Sequence, residues 1–285
     1  MNSDSPHIAI FGPGLMGGSL LLALREKLPA THTAVWARRD EAVQEALNRG
    51  LAGRGSTNAR EVAESADVII LCVPLEQMAS LAAQIADTVS ADTLVTDVGS
   101  TKEQVVSTLE KIFHKHRNFV GSHPMCGSEA AGLEAARPDL YKGAMCALTP
   151  TGATRQDLAN RAKKLWESVG ARTLNLSPEE HDTAVAASSH VPHVAAAALV
   201  ELIGDSAAAQ ALCASGLRDT TRIAAGSPEL WTGILSQNRA AVARSLGKLT
   251  HLLDEAREAL ERGDMAKISS LLAAAQAHRA EIFPN

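Results

Sequence analysis

Two short polar segments carry the side chains best suited to acid–base chemistry. Gly121-Ser122-His123-Pro124 ends one apolar run, and Asp97-Val98-Gly99-Ser100-Thr101-Lys102 ends the run before it. If both runs are parallel strands, the segments meet at the carboxyl edge of one sheet, where ligands bind in doubly wound folds. The ordinary pKa of an imidazole is near physiological pH, so a histidine there can accept a proton. A lone loop histidine is more often structural, and the prediction therefore depends on the residues around it.

A glycine-rich turn indicates a second kind of site. Gly12, Gly14 and Gly17 have GxGxxG spacing between a first apolar run and an apolar helical stretch. The first glycine permits a tight turn, the second lets the backbone approach a pyrophosphate, and the third lets helix and strand pack closely. The helix N-terminus adds N–H groups for the phosphates. A purely structural turn is the alternative, but this context favours dinucleotide binding, with Leu15 and Met16 inside the motif.

The end of the predicted second strand bears on the choice of dinucleotide. NAD-binding units usually have an acid there, about 20 residues beyond the glycines, to bind the ribose hydroxyls. This chain has Ala37, Arg38 and Arg39 instead. The absence of a carboxylate removes repulsion of a 2′-phosphate, and two guanidinium groups suit phosphate binding, so we predict NADP in preference to NAD. The alternative is that both arginines form a solvated turn and Asp40 is the acid.

The pattern of the chain divides it in two. From residue 7 to about 176, short apolar runs alternate with amphipathic helical segments, which indicates βαβ units. From Ser177-Pro178-Glu179-Glu180, a helix start signal, Ala- and Leu-rich helical segments take over. We therefore predict a Rossmann-like doubly wound α/β domain over residues 1–176 and an all-α substrate and dimerisation domain over 177–285. So broad an apolar face predicts a homodimer; a self-sufficient helical cap is the alternative.

Composition excludes several classes of protein. The chain has 285 residues, a formal charge of −5 and a sequence pI near 6.1, which gives no electrostatic signal for nucleic acid or an anionic membrane. No signal peptide and no apolar stretch of membrane-spanning length is evident, so we predict a cytoplasmic protein. The cysteines are widely spaced, which predicts neither a metal site nor disulfides. They are Cys72, Cys126, Cys146 and Cys213.

A longer set of motifs resembles the prephenate/arogenate dehydrogenase family of tyrosine biosynthesis. They are GPGLMGGS at 12–19, VP at 73–74, DVGSTK at 97–102, GSHPMCGSE at 121–129, HD at 181–182, SSHVPH at 188–193 and GLRDTTRIA at 216–224. The resemblance implies a Rossmann domain followed by a helical dimerisation domain. It also implies oxidative decarboxylation of a cyclohexadienyl substrate with a nicotinamide cofactor, giving 4-hydroxyphenylpyruvate or tyrosine. We expect a monofunctional enzyme without a dedicated feedback domain.

The resemblance assigns roles to individual residues. His123 matches the catalytic base that draws the proton from the ring 4-hydroxyl, and Ser100 matches the serine that orients that hydroxyl. Arg222 matches the arginine that holds a substrate carboxylate, for which a guanidinium fork is suited. The remaining matches are Val73 and Pro74 at the cofactor, Ser189 and His193 lining the substrate pocket, and Glu129 and Asp219 shaping or gating it.

Each assignment has a plainer alternative. His190 and His193 could be a metal pair, but no third ligand matches and pocket lining or packing is favoured. Asp219 could pair with a neighbouring arginine, Glu129 could be a surface acid, and Cys126 is expected to pack rather than act as a nucleophile. Glu134 is a candidate for binding the ammonium of arogenate. Two other classes stay open: an NADP-dependent reductase of the β-hydroxyacid dehydrogenase or pyrroline-carboxylate reductase type, and a non-catalytic nucleotide sensor.

Overall fold

The computed structural model describes residues 5–126 and 130–284. The strands are β1 (His7–Phe11), β2 (His32–Trp36), β3 (Arg54–Ser56), β4 (Val68–Leu71), β5 (Leu94–Asp97), β6 (Phe119–Pro124), β7 (Met145–Thr149) and β8 (Arg172–Asn175). The helices of the first half are α1 (Leu15–Lys27), α2 (Asp40–Asn48), α3 (Ala59–Ala63), α4 (Leu75–Ile85), α5 (Glu103–Ile112) and α6 (Gln156–Ser168). Those of the second half are α7 (Pro178–Val185), α8 (Val191–Ile203), α9 (Ala207–Ala211), α10 (Ser215–Thr221), α11 (Pro228–Gln237), α12 (Arg239–Glu261) and α13 (Met265–Ile282).

The strands form one sheet in the order β3-β2-β1-β4-β5-β6-β7-β8. The first six strands in chain order are parallel, whereas β7 runs antiparallel to β6 and parallel to β8. The order reverses direction between β1 and β4, and this is the switch point at which doubly wound sheets bind ligands. The predicted Rossmann-like α/β fold is confirmed. Sequence reasoning missed β3, because Arg54-Gly55-Ser56 has no apolar run to reveal it.

Helices cover both faces of the sheet because the parallel strands are apolar on both faces. On β1, Ile8 and Ile10 face one core, and Ala9 and Phe11 face the other. The first core packs against α1, α2 and α6 and is filled around Trp166. The second packs against α3, α4 and α5. This double burial fixes the register of the strands, and with it the loops at their carboxyl ends.

The helical half begins with a strongly capped helix. Ser177 caps α7 in a capping box: its hydroxyl accepts from the Glu180 N–H, and the Glu180 carboxylate accepts from the Ser177 N–H. The hydrogen bonds from Ser177 lower the pKa of Glu180. A single π-helical turn, Ala186–His190, joins α7 to α8 without a break. Turns of this kind are frequent at functional sites.

The joined helix Pro178–Ile203 differs from expectation in one respect. Within the described residues, this stretch of 26 residues is long and apolar enough to cross a membrane. The sequence did not suggest this because the polar residues Ser188, Ser189 and His190 interrupt the apolar pattern. The first part of the stretch packs on the sheet domain and buries His181 and Asp182. The large apolar side chains that it exposes, Leu199, Val200 and Leu202, all lie on α8.

The apolar surface of the helical half is mostly exposed. Its own core is small: Ala186, Val191, Ala241 and Val242, with a few partly buried leucines. Large apolar side chains remain exposed on α8, α12, α13 and the residues that follow, including Leu202, Leu253, Leu260, Leu272 and Phe283. Exposed apolar surface on this scale marks an interaction surface.

Candidate active site

Five loops meet at the carboxyl edge of the sheet. Gly12 follows β1, Ala37 follows β2, and Val73 follows β4. Ser100 lies three residues beyond the end of β5, and His123 is at the end of β6. Parallel pairing of these strands carries every one of these residues to the same edge. The edge therefore joins the predicted dinucleotide turn to the predicted base.

The glycine turn has the shape of a phosphate cradle. Gly12 has φ +104°, and a Cβ there would lie 2.6 Å from the Cys72 carbonyl oxygen. A Cβ at Gly17 would collide with the Gly12 carbonyl oxygen and lie 2.9 Å from Ile10 Cγ2. At Gly14, in contrast, no described residue beyond the adjoining backbone lies within 4 Å of the Cβ position. Gly12 and Gly17 thus allow close packing, while Gly14 keeps open space in front of the helix.

The start of α1 can bind an anion. Gly14 is the N-cap and offers no side-chain acceptor, so the first N–H groups of α1 point toward this space. Leu15 and Met16 are half-buried beside it. The Met16 carbonyl accepts a hydrogen bond of 2.7 Å from the Tyr141 hydroxyl, which fixes the turn from the other side. The shape of this cradle suits the pyrophosphate of a dinucleotide. Val73 lies beside it, with its Cγ1 3.1 Å from the Cβ position of Gly12, and Pro74 is the N-cap of α4.

The residues after β2 lie where an adenosine ribose would be bound. Ala37 is buried, whereas Arg38 and Arg39 are exposed, and Arg39 is the N-cap of α2. Asp40 begins that helix, and its carboxylate accepts a 3.5 Å hydrogen bond from Gln44. The two guanidinium groups and the start of α2 thus occur together at the edge of the sheet.

His123 is joined to the helical half by a hydrogen-bonded chain. Its Nδ1 lies 2.9 Å from Nε2 of His181, and Nδ1 of His181 lies 2.8 Å from a carboxylate oxygen of Asp182. The Asp182 carboxylate also accepts from two backbone N–H groups at the start of α5, those of Lys102 at 2.7 Å and Glu103 at 3.0 Å. Both His181 and Asp182 are buried.

A buried ion pair fixes the loop between β5 and α5. The Lys102 ammonium pairs with the Asp97 carboxylate and donates to the Ser122 carbonyl at 2.9 Å. Asp97 also accepts from the N–H groups of Gly99 and Ser122. This network ties the loop that carries Ser100 to the strand end that carries His123.

Burial keeps His123 and His190 neutral. It holds the pKa of His123 well below its usual range, and the nearby His181, Lys102 and His190 act in the same direction. Burial also lowers the pKa of His190 to about 4. His190 Nδ1 lies 3.2 Å from the side-chain nitrogen of Asn238. A neutral imidazole is the form that can accept a proton, which suits His123 to act as a base.

On the helical side, the stacked rings of His193 and Trp231 form one wall of the candidate site. The rings of His193 and Trp231 stack with centroids 3.6 Å apart, and His193 Nδ1 is buried with no hydrogen-bond partner in the described structure. Gly226 approaches both rings, since a Cβ there would lie 2.7 Å from Trp231 Nε1. Arg222 begins the 3-10 turn Arg222–Ala225 just before Gly226, and that turn packs on α8. Ser189 is half-buried on the π-helical turn.

Other predicted residues lie further out. Asp219 is exposed on α10 and forms a long contact of 3.8 Å with Arg218, the surface pairing considered as its alternative. Glu134 is exposed, and its carboxylate folds over Gly132. Burial raises the pKa of the Cys126 thiol to about 12, which suits packing rather than nucleophilic attack. Glu129 lies outside the described residues.

Sequence reasoning missed three parts of this arrangement: His181 with Asp182, the Lys102–Asp97 pair, and Trp231. The HD pair at 181–182 and the lysine of DVGSTK were visible as motifs. The sequence held a weak indication that Trp231 matters, because it is one of three tryptophans and lies just after a helix start. Within the described chain no cluster of three or more metal-ligating side chains forms, so His190 and His193 are not part of one.

The fold and the site together define a two-domain dehydrogenase that binds a nicotinamide dinucleotide. The nucleotide-binding domain model of prephenate dehydrogenase matches residues 20–175, and its dimerization domain model matches residues 177–274. The chain belongs to the prephenate/arogenate dehydrogenase family. The alternative reductase and sensor classes are not favoured by these matches.

Known relatives show the same likeness. The chain is 31% identical to the prephenate dehydrogenase of Bacillus subtilis over 98% of this chain and 76% of that protein. The structure of A. aeolicus prephenate dehydrogenase in complex with hydroxyphenyl propionate and NAD⁺ superposes with a TM-score of 0.92, at 29% identity over 99% of this chain and all of the other. Synechocystis arogenate dehydrogenase gives 0.86, at 28% identity over 97% and 100%.

Proposed function

We propose that this enzyme oxidatively decarboxylates prephenate or arogenate, with His123 as the base that takes the proton of the ring 4-hydroxyl. The observation that carries the proposal is the position of His123. It is a neutral imidazole at the carboxyl edge, with Nδ1 directed to His181 and Nε2 left for substrate. The neighbouring Cys126 and Cys146 thiols do not compete for this role, since burial raises the pKa of both.

The chain's residues have mainly to orient the substrate and move one proton. When bound, the nicotinamide accepts a hydride from the carbon that bears the hydroxyl. His123 takes the hydroxyl proton as the hydride leaves. Loss of CO₂ then makes the ring aromatic and leaves a phenolate oxygen, to which the proton returns. Ser100, on the loop fixed by Asp97 and Lys102, orients the hydroxyl against His123. Holding the reacting atoms in this geometry replaces a costly encounter by a step within one complex.

The helical side holds the rest of the substrate. Arg222 supplies a guanidinium fork for a carboxylate. His193 offers a buried Nδ1 that needs a partner, and a substrate group would satisfy it. Ser189 adds a hydroxyl from the π-helical turn. Glu129 and Asp219 are proposed to shape or gate the entrance.

We propose NADP as the preferred cofactor. Arg38 and Arg39 are exposed beside the start of α2, where a 2′-phosphate on the ribose would meet two guanidinium groups. Each charge-assisted contact contributes about 1.5–3 kcal/mol. An Arg38→Ala/Arg39→Ala variant should therefore lose at least about 10-fold in kcat/KM with NADP⁺ and little with NAD⁺. An unchanged ratio of the two cofactors would support Asp40 as the ribose ligand instead.

Glu134 is proposed to favour arogenate by binding its ammonium. The support is that the carboxylate is exposed on the segment that follows β6, the strand that ends with His123 and Pro124. Glu134→Gln keeps the shape of the side chain and removes the charge. The ratio of kcat/KM for arogenate to that for prephenate should fall, and an unchanged ratio would exclude this role.

A homodimer through the helical domain accounts for the exposed apolar side chains of α8, α12 and α13. A second subunit that covers them gives the joined helix Pro178–Ile203 a protein environment, so no membrane is needed to explain its apolar surface. We therefore propose a cytoplasmic homodimer. Its small-molecule partner is the cyclohexadienyl substrate.

The activity is tested by mixing purified protein with prephenate or arogenate and with NAD⁺ or NADP⁺, in all four combinations. Absorbance of the reduced nicotinamide should rise in at least one mixture, faster with NADP⁺. A faster reaction with NAD⁺ would reject only the cofactor preference. No reaction in any mixture, despite cofactor binding, would reject the proposed activity.

A further inference from the structure

The base of this site is built across the boundary between the two halves of the chain. His123 ends a strand of the sheet domain, whereas His181 and Asp182 belong to α7 of the helical half. Neither His181 nor Asp182 lies on the loops that bind the dinucleotide or on the wall that holds the substrate carboxylate. Their burial and their two short hydrogen bonds need another explanation.

The donors and acceptors available to Asp182 and His181 decide which nitrogen donates in each hydrogen bond between Asp182 and His123. The Asp182 carboxylate can only accept, so Nδ1 of His181 carries the proton that it donates. Nε2 of a neutral His181 is then a lone pair and accepts from Nδ1 of His123. Consequently His123 carries its proton on Nδ1, and Nε2 is unprotonated and able to accept. The opposite tautomer would leave His123 with a proton on Nε2 and no basic nitrogen toward the substrate.

Asp182 is itself fixed by the other half of the molecule. Its two carboxylate oxygens accept from the Lys102 and Glu103 N–H groups, where the start of α5 favours negative charge. The carbonyl of Asp182 accepts a 2.7 Å bond from the side chain of Asn238. The anchor of the chain is therefore formed by the same loop that carries Ser100.

We propose that His181 and Asp182 are positioning residues that fix the tautomer of His123, so that the base is formed only when α7 is docked on the start of α5. When His123 takes the substrate proton on Nε2, its Nδ1–H remains donated to His181 and the Asp182 carboxylate stabilises the resulting imidazolium through that ring. Asp182 keeps its charge throughout, and no proton passes along the chain. This inference rests on the proposed role of His123 as base.

The tautomer can be measured in the resting protein without turnover. Long-range ¹⁵N–¹H spectra of histidine-labelled protein should show His123 and His181 both protonated on Nδ1 and bare on Nε2. His123→Gln and His181→Phe serve to assign the signals among the 10 histidines. A proton on Nε2 of His123 would overturn the inference even if the enzyme is active. If the tautomers are as proposed but wild-type protein turns over neither substrate, only the proposed function fails.

Kinetics give the second test. In Asp182→Asn and His181→Phe, kcat should fall by about 10²-fold or more, while the KM values for substrate and cofactor stay within about threefold. The acid limb of the pH profile should move to lower pH, because the imidazolium of His123 loses its stabilising carboxylate. The charged and titratable groups that act on the pKa of His123 are His181, His190 and Lys102. Asp182→Asn also removes the carboxylate that raises the pKa of His190, which leaves His190 neutral, and neither variant changes the Lys102 side chain. His181→Gln, whose amide oxygen can still accept from Nδ1, should recover part of the lost rate.

A matched control separates this role from a scaffold. Gln237 accepts a 2.7 Å hydrogen bond from Thr101 and so also bridges the two halves, but it does not touch the chain of histidines. Gln237→Ala should leave the pH profile and the His123 tautomer unchanged. If it shifts the profile as Asp182→Asn does, or if Asp182→Asn lowers kcat with an unmoved acid limb, His181 and Asp182 only hold the domains together and the proposal is wrong.

Discussion

The glycines at the start of α1 allow the cofactor site to be perturbed separately from the fold. At Gly14 the backbone is extended, with φ −81° and ψ −155°, which alanine adopts without strain. Among the described residues, none beyond the adjoining backbone lies within 4 Å of the position that an alanine Cβ would take. At Gly17 a Cβ would strike the backbone oxygen of Gly12. Gly14→Ala should therefore block the ligand, and Gly17→Ala should disturb the protein itself.

The two variants should differ clearly in how much they change Tm and the Kd of the dinucleotide. Gly14→Ala weakens an N-cap by about 0.5–1 kcal/mol, which lowers Tm by about 1–4 °C. Displacing a phosphate from the charge-assisted N–H contacts costs about 1.5–3 kcal/mol, so the Kd of the dinucleotide should rise about 10- to 150-fold. In Gly17→Ala, a collision with backbone costs up to about 3 kcal/mol and outweighs the roughly 1 kcal/mol gained in helix propensity. A net loss of about 2 kcal/mol lowers Tm by about 4–8 °C.

Titration calorimetry with NADP⁺ and differential scanning calorimetry of the free proteins measure the two effects. The cradle is supported if Gly14→Ala loses affinity and no more than about 4 °C of Tm, while Gly17→Ala loses about 4–8 °C of Tm. Wild-type affinity in Gly14→Ala would refute the reasoning, because a methyl group would then occupy the proposed pyrophosphate position without consequence.

Three further perturbations test other parts of the account. Because neutral His123 is the active form and burial lowers its pKa, kcat/KM should stay constant as pH falls to the ordinary histidine value of about 6.5 and drop only below it; an acid limb above pH 7 would contradict this. Lys102→Met leaves the buried Asp97 carboxylate without its cation and should cost about 3–5 kcal/mol of unfolding free energy in a denaturant titration, whereas a change under about 1 kcal/mol would show that the pair is dispensable. Leu253→Glu and Leu260→Glu place charges on exposed apolar surface and should yield monomers by light scattering. The sheet domain of these monomers should stay folded. Unchanged dimers would put the interface elsewhere.

The sheet domain was predictable because its signals are local. Continuous apolar runs gave β1, β4 and β5, and the glycine spacing gave the turn before α1. Ser177 and Ser227 marked the starts of α7 and α11 with the same cap-and-proline signal. Each of these features is decided within a few residues, which is the range that propensity and periodicity describe.

The internal links of the site were not predictable, because they join distant parts of the chain. His123 and His181 are 58 residues apart, and Asp182 caps a helix 79 and 80 residues before it. The π-helical turn at Ala186–His190 leaves no local signal either, since it depends on how α7 and α8 pack on their neighbours. The motifs indicated which residues matter at His123 and Asp182, but only the fold shows that they form one chain of hydrogen bonds.

The central claim is that His123 serves an oxidative decarboxylation, and the balance of products tests it most directly. With prephenate labelled at the ring carboxylate, released CO₂, reduced nicotinamide and 4-hydroxyphenylpyruvate should appear in equal amounts, with tyrosine in place of the last product when labelled arogenate is used. In His123→Asn all products should fall together by about 10²-fold or more. Reduced nicotinamide without CO₂, or a wild-type rate in His123→Asn, would contradict the account.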